Sequence, residues 1–381
     1  GNTATLGGAI DNRGNLTVIN CTFTNCDSLN YGGAIATYPG GAPTPSDPWN
    51  GNAITTPPGT VIIQNCTFNN ITVTNTGDSD ALYGGAIWSN GSEVIITDSV
   101  FNNIEGDYGA VISNIKGTMT VDNITIDTAK ANTEGGAIIN QEGGKISITN
   151  SDFTNLEAVK FGGAVANLKG NVELDNVTIS NVIIAEDQGN QYYGGTIYTE
   201  GKTTVKNSRL TDMTANTGAV FNINEGTLIV EDTEITNGYA HVFGGLVVES
   251  GGSVTMDNVT VINMTSSDES DDYSAGNGAL FFMEEGSATV KNSIFINNTG
   301  RGSTIGFFAF TEDTVFENNK FYNNTITGET NYDIEVMFGD VTFKNNYFEN
   351  NTNNYRDMLA SDEYTNPTMI GNTYIDNTLD H

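Results

Sequence analysis

The sequence predicts an all-β chain wound as a single right-handed parallel β-helix, a β-solenoid of about 13 coils with about 26 residues in each. Three observations carry this prediction. A pattern of apolar residue, any residue, Asn or Asp, any two residues, apolar residue recurs along the chain. The run before each Asn alternates apolar with polar residues. A Gly-Gly-Ala-Ile element stands between many of the successive copies.

The Asn/Asp position recurs at Asn20, Asn65, Asp98, Asn123, Asn150, Asn176, Asn207, Asp232, Asn258, Asn292, Asn318, Asn345 and Asn372. Most intervals are 25 to 27 residues, and the longer ones (45, 33, 31 and 34) are the same period with an insertion. Repetition at this period points to one domain over residues 1–381 rather than the two or three suggested by length. Coils stacked at about 4.8 Å would make a rod on the order of 60 Å long. The Asn column is expected to turn a corner, its side-chain amides bonding along the stack.

The apolar columns come next. Two residues before the Asn stand Val18, Ile63, Ile96, Val121, Ile148 and their equivalents down to Ile370. Three residues after it stand Phe23, Phe68, Phe101, Ile126, Phe153 and equivalents down to Ile375. Runs such as Val172-Glu173-Leu174-Asp175 put one face in a core and one in solvent. Helical periodicity is absent and β-branched residues dominate these runs.

The glycine element begins at Gly7, Gly32, Gly84 and Gly135 and, edited, at Gly162, Gly194 and Gly244. Adjacent glycines allow a positive φ or a very close backbone approach, as another corner of the coil requires.

The wording Leu16-Thr17-Val18-Ile19-Asn20-Cys21-Thr22-Phe23 and Asn318-Asn319-Lys320-Phe321-Tyr322-Asn323-Asn324, joined to Gly-Gly-Ala-Ile, resembles two families. One is the polymorphic outer membrane proteins of chlamydiae; the other, closer in wording, is the large adhesin-like surface proteins of methanogenic archaea. The resemblance covers residues 7–377 and implies a secreted, surface-attached, non-enzymatic β-helix. No part of the sequence resembles the C-terminal membrane barrel of the chlamydial proteins or a recognisable anchor.

Charge narrows the partners. Fourteen basic residues face 46 acidic ones, a formal net charge of −32, which repels nucleic acid and anionic lipid. No stretch approaches the roughly 20 apolar residues of a membrane-spanning helix. The chain begins without Met inside a repeat and reads as a processed piece of a longer precursor. Twelve Asn-x-Ser/Thr sequons, among them Asn15, Asn65, Asn123, Asn176, Asn258 and Asn350, permit glycosylation in a secreted protein. Three cysteines argue against a disulfide scaffold. Cys21 and Cys66 share the slot after the Asn and Cys26 shares one with Ile71, so they read as small buried hydrophobes. A Cys21–Cys66 bridge between stacked coils is the alternative.

The rival function is a polysaccharide lyase or hydrolase, since parallel β-helices host both. Such chemistry needs paired carboxylates or a cationic base beside a bound sugar. The four arginines (Arg13, Arg209, Arg301, Arg356) are scattered and the two histidines (His241, His381) stand far apart, so the sequence assigns no catalytic residue. Insertions carry the functional expectation. Residues 38–59 hold six of the seven prolines and Trp49. Three acidic, aromatic insertions precede the glycine corner: 72–83 with Tyr83, 183–193 with Tyr192 and Tyr193, and 265–277 with Asp268, Asp271, Asp272 and Tyr273. Trp49 and these tyrosines are the candidate partner-binding residues, for glycans or a host surface. The three aspartates are candidate ligands for Ca²⁺, the one cofactor considered. No capping helix is recognisable before Gly7 or after Asn372, so the ends would invite stacking of copies into a fibre, sheath or surface layer on the cell exterior.

Overall fold

Among the described residues successive windings pair in parallel, largely residue for residue, with register shifts such as that between Gly106 and Tyr108. Glu93–Thr97 pairs with Thr60–Gln64 on one side and with Thr118–Asp122 on the other, Ile96 falling between Ile63 and Val121. The computed structural model describes residues 3–39, 59–73, 83–184, 194–267, 280–283, 286–300, 305–327, 334–353, 359–361 and 367–379. Among these residues all regular structure is β, and no helix is long and apolar enough to cross a membrane. The chain divides into two compact units, Gly1–Ile183 and Ile184–His381.

In the first unit the Asn column marks six windings. Asn20, Asn65, Asp98, Asn123, Asn150 and Asn176 all have φ between 51° and 57°. That left-handed conformation costs most L-residues about 1–2 kcal/mol, and Asn and Asp tolerate it best. Five residues on stands a second left-handed column: Asn25, Asn70, Asn103, Thr128, Asn155 and Asn181. The two columns bracket a strand of three residues, such as Thr22–Thr24, whose middle side chain points inward. Amides run up both outer ladders: Asn65 Nδ2 donates to Asn20 Oδ1 at 2.6 Å, and Asn103 Nδ2 to Asn70 Oδ1 at 2.8 Å. Inside, Phe68 stacks between Phe23 and Phe101 at centroid distances of 4.7 and 4.6 Å. Phe153 is buried in the same column beyond Ile126.

The glycine corner uses its two residues differently. The first, as at Gly135, takes φ of 67°. The second is a contact glycine: a Cβ on Gly136 would lie 1.9 Å from the Gly163 carbonyl oxygen of the next winding. The strand that follows, as at Ile35–Thr37 or Ile112–Ile115, is buried on both faces.

In the second unit the first column comprises Asn207, Asp232, Asn258, Asn292, Asn318, Asn345 and Gly371, again in the left-handed region. Gly371 corrects the sequence reading. The final corner is Gly371 and not Asn372, because Ile370 aligns with Lys344 and Met369 with Phe343. The core columns therefore end in Met369 and Tyr374, while Ile370 and Ile375 point outward, since a one-residue slip exchanges the faces of a strand. Phe295, Phe321, Phe348 and Tyr374 stack at 4.8, 4.8 and 5.1 Å.

Both units depart from an all-apolar interior: in the first, buried Asn114 Nδ2 donates to Asn140 Oδ1 at 2.9 Å and Asn140 Nδ2 to Asn167 Oδ1 at 3.0 Å, and the second unit carries two such ladders. Asn298, Asn324, Asn351 and Asn377 stand in one inward column and Asn319, Asn346 and Asn372 in another. Each amide nitrogen but those of Asn372 and Asn377 donates to the next Asn Oδ1, and most donate to a strand carbonyl, as Asn351 does to Phe321 O at 3.1 Å. These runs polarise along the stack, and burial is tolerated because every member is bonded.

Candidate recognition edge

The residue before each glycine corner forms a column along the first unit: Leu6, Tyr31, Tyr83, Tyr108, Glu134 and Phe161. Parallel register stacks its three tyrosines, Tyr83 lying 6.0 Å from Tyr31 and 4.8 Å from Tyr108 by ring centroid. Of the residues proposed from sequence for partner binding, Tyr83 is thus placed on an aromatic stripe. Trp49, Tyr192, Tyr193 and Tyr273, and the Ca²⁺ candidates Asp268, Asp271 and Asp272, lie outside the described residues.

Trp88 is the residue that sequence reasoning missed. It fills the position stacked between Ala36 and Ser113, on the face of its strand opposite the buried Ile87. Tyr31 covers it at 4.7 Å and Tyr38 at 5.8 Å, leaving it 3% exposed. Among the described residues its indole N–H has no hydrogen-bond partner. The signal was present, since an aromatic follows the Ile of Gly-Gly-Ala-Ile only here and, edited, at Tyr198.

Tyr38 roots the Pro-rich insertion. Its ring lies 5.1 Å under the Arg13 guanidinium, and Arg13 Nε donates to its phenol oxygen at 3.0 Å. Burial pushes the Tyr38 phenol up to about 12, Asp11 adds to that rise and Arg13 opposes it. Burial likewise lifts Tyr83 to about 12, with the Tyr108 and Tyr31 phenols adding and the Gln141 amide opposing. Both groups are neutral hydrogen-bonding phenols around neutral pH. Beside the stripe Asp107 is raised by burial and by Glu105, against a hydrogen bond from Asn132 Nδ2 at 3.2 Å.

Other charged side chains pair with the neighbouring winding. Lys116 meets Glu142 at 2.7 Å and Lys130 meets Glu157 at 2.7 Å; in the second unit Arg209 meets Glu234 at 3.2 Å and Lys344 meets Glu317 at 2.7 Å. Among the described residues no group of three His, Cys, Asp or Glu side chains is arranged to hold a metal ion. The cysteines depart from the sequence reading: Cys66 is buried, but Cys21 is exposed and Cys26 half-buried. Among the described residues Leu16–Ile19 and Thr22–Thr24 pair with a winding on one side, so the slots of Cys21 and Cys26 are covered from that side.

Residues 135–321 match the family described as right handed beta helix region. No curated protein and no solved structure matches the chain. The parallel windings together with that match make the fold a right-handed parallel β-helix.

Proposed function

We propose that the chain is a non-enzymatic protein of the cell exterior, adhesin-like or structural, in which the coils supply reach and rigidity and the tyrosine edge supplies recognition. The observation that carries this reading is the use of the charged side chains. Lys116, Lys130, Arg209 and Lys344 each pair with a carboxylate one winding away, an arrangement that holds coils in register rather than converging on a substrate. The resemblance of the repeats to adhesin-like surface proteins supports the same role. The stacked phenols of Tyr83 and Tyr108, half-buried beside the buried Tyr31, offer hydrogen-bonding groups to a repetitive partner such as a surface glycan.

The test is a glycan and cell-surface binding screen with the intact chain, repeated with Tyr83→Ala and Tyr108→Ala, alongside an assay for polysaccharide cleavage. Binding that falls at least tenfold in the double variant, without cleavage products, supports the reading. Release of new reducing or unsaturated ends would instead make the protein a polysaccharide-active enzyme. Electron microscopy of native material separates a fibre or layer former from an isolated adhesin rod.

A further inference from the structure

Cys21 and Cys66 occupy the same position on successive windings. Thr67 N–H donates to Cys21 O at 2.9 Å and Asn20 N–H donates to Gln64 O at 3.0 Å, so residues 20–22 and 65–67 run in register. Hydrogen-bonded strand neighbours lie about 4.8 Å apart. That spacing falls inside the Cα range of about 4.4–6.8 Å that a disulfide spans. The Cys66 thiol already reaches toward its neighbour: Sγ lies 3.6 Å from Val18 O, a carbonyl of the Cys21 winding, and 3.2 Å from Gln64 O. Cys21 Sγ lies 3.3 Å from Ile19 O, on the equivalent side of its own corner. Burial raises the Cys66 thiol, a hydrogen bond with the Cys21 backbone opposes that rise, and the Cys21 side chain adds to it. Cys26, by contrast, stacks on Ile71: Thr72 N–H donates to Cys26 O at 3.1 Å, and no cysteine stands beside it.

We propose that Cys21 and Cys66 are an oxidation site that closes into an inter-coil disulfide, stapling the first winding to the second around the Pro-rich insertion. The setting rests on the exterior location proposed above; the thiol geometry does not. The co-reactant is a small-molecule disulfide. The exposed Cys21 thiolate attacks one of its sulfurs, forming a mixed disulfide and releasing one thiolate. The Cys66 thiolate then attacks the Cys21 sulfur and releases the second. Two protons from the cysteines end on the two released thiolates, and two electrons pass from the cysteines to the oxidant. Exposure assigns the first step to Cys21, and burial makes Cys66 the resolving thiol.

The experiment treats the full chain with oxidised glutathione and counts thiols under denaturing conditions. The expected result is a fall from three free thiols to one, a mass loss of two hydrogens, and a non-reduced peptide joining Cys21 to Cys66. Cys66→Ser should stall as a glutathione adduct on Cys21, and Cys26→Ser should close the bridge as the parent does. Hydrogen exchange in Leu16–Ile19 should slow on oxidation. Three free thiols after treatment, a bridge that includes Cys26, or equal adducts on all three cysteines would overturn the proposal. If the bridge forms in vitro while protein isolated from its source under thiol-trapping conditions is reduced, the exterior location fails and the oxidation site stands.

Discussion

Asn324 donates to Asn351 Oδ1 twice, from its backbone N–H and from its side-chain Nδ2, at 2.9 Å each. One side chain thus caps the corner of the previous winding and extends an interior ladder. Asn324 Nδ2 also donates to Phe295 O at 3.2 Å, while its own Oδ1 accepts from the Asn298 backbone N–H at 3.0 Å and Asn298 Nδ2 at 2.9 Å. Asn324→Ala leaves those groups buried and unpaired. The expected cost is about 2–4 kcal/mol, against about 1–2 kcal/mol for the exposed corner change Asn65→Ala. Urea unfolding of the two variants decides the point: a cost for Asn324→Ala no larger than that for Asn65→Ala would mean the interior ladder contributes no net stability.

The Tyr38 and Tyr83 phenols predict alkaline instability of the first unit. Each is raised to about 12 in the folded chain, mainly by burial, while an exposed tyrosine ionises near 10. Below pH 10 both states hold the proton and the stability is fully present. Between pH 10 and 12 the unfolded chain releases protons that the folded chain retains, so stability falls as pH rises through that window. Tyr38→Phe and Tyr83→Phe should each flatten the fall, read by circular dichroism against tyrosinate absorbance. A double Phe variant with the parent's alkaline profile would assign the instability to other groups.

How legible these features were depended on whether a neighbouring winding was needed to see them. The Phe23–Phe68–Phe101 stack and the Asn20–Asn65 corner were readable because alternation and period sit within one coil's own sequence. The second corner at Asn25 and Asn70 was not read, although the five-residue spacing is regular. The strand between the corners has three residues and one inward side chain, too short to alternate. Asn324 and Asn351 were unreadable as interior residues because a lone buried amide is costly, and only the stacked amide one winding away removes that cost. The slip at Gly371 arose because Met369-Ile370 and Tyr374-Ile375 each put two apolar residues side by side, so either register looks apolar; the left-handed φ at Gly371 selects one. On the edge, Tyr83 was found from its place before the glycines, but Trp88 becomes notable only once Tyr31 and Tyr38 are folded over it.

Glycan occupancy should follow the ladders. In the sequons of Asn65, Asn176 and Asn258 the Asn supplies the left-handed corner and the Thr opens the next strand segment, so the motif is also a product of coil geometry. Their acceptor nitrogens already donate to Asn20, Asn150 and Asp232 at 2.6, 2.8 and 2.7 Å. Neighbouring corners are about 4.8 Å apart, closer than two glycans can sit. Asn15 is exposed off the ladder, and its Oδ1 holds the Thr60 N–H at 3.0 Å. In the folded fraction from an N-glycosylating host, peptide mapping should find high occupancy at Asn15 and little at the other three. Equal occupancy at all four would show that corner amides are not protected by stacking.

Thr128 breaks the ladder and gives the sharpest test of it. It is a β-branched residue at φ 63°, in a column otherwise built in the first unit from Asn25, Asn70, Asn103, Asn155 and Asn181. Here the ladder steps onto the preceding Asp, as it does where Asn150 donates to Asp122: Asn155 Nδ2 donates to Asp127 Oδ1 at 2.7 Å, and the Thr128 hydroxyl donates to the same oxygen at 3.2 Å. Thr128→Asn removes the β-branched strain and places an amide between Asn103 and Asn155. The expected gain is about 0.5–2 kcal/mol, comparable to other repairs of local conflicts. Thr128→Gly should relieve the strain without supplying the bonds. If Asn exceeds Gly in thermal unfolding, the amide ladder stabilises the coil beyond fitting its corner. If the two gain equally, conformation alone accounts for the Asn columns. A loss in both would show that the Thr128–Asp127–Asn155 arrangement is worth more than the ladder it interrupts.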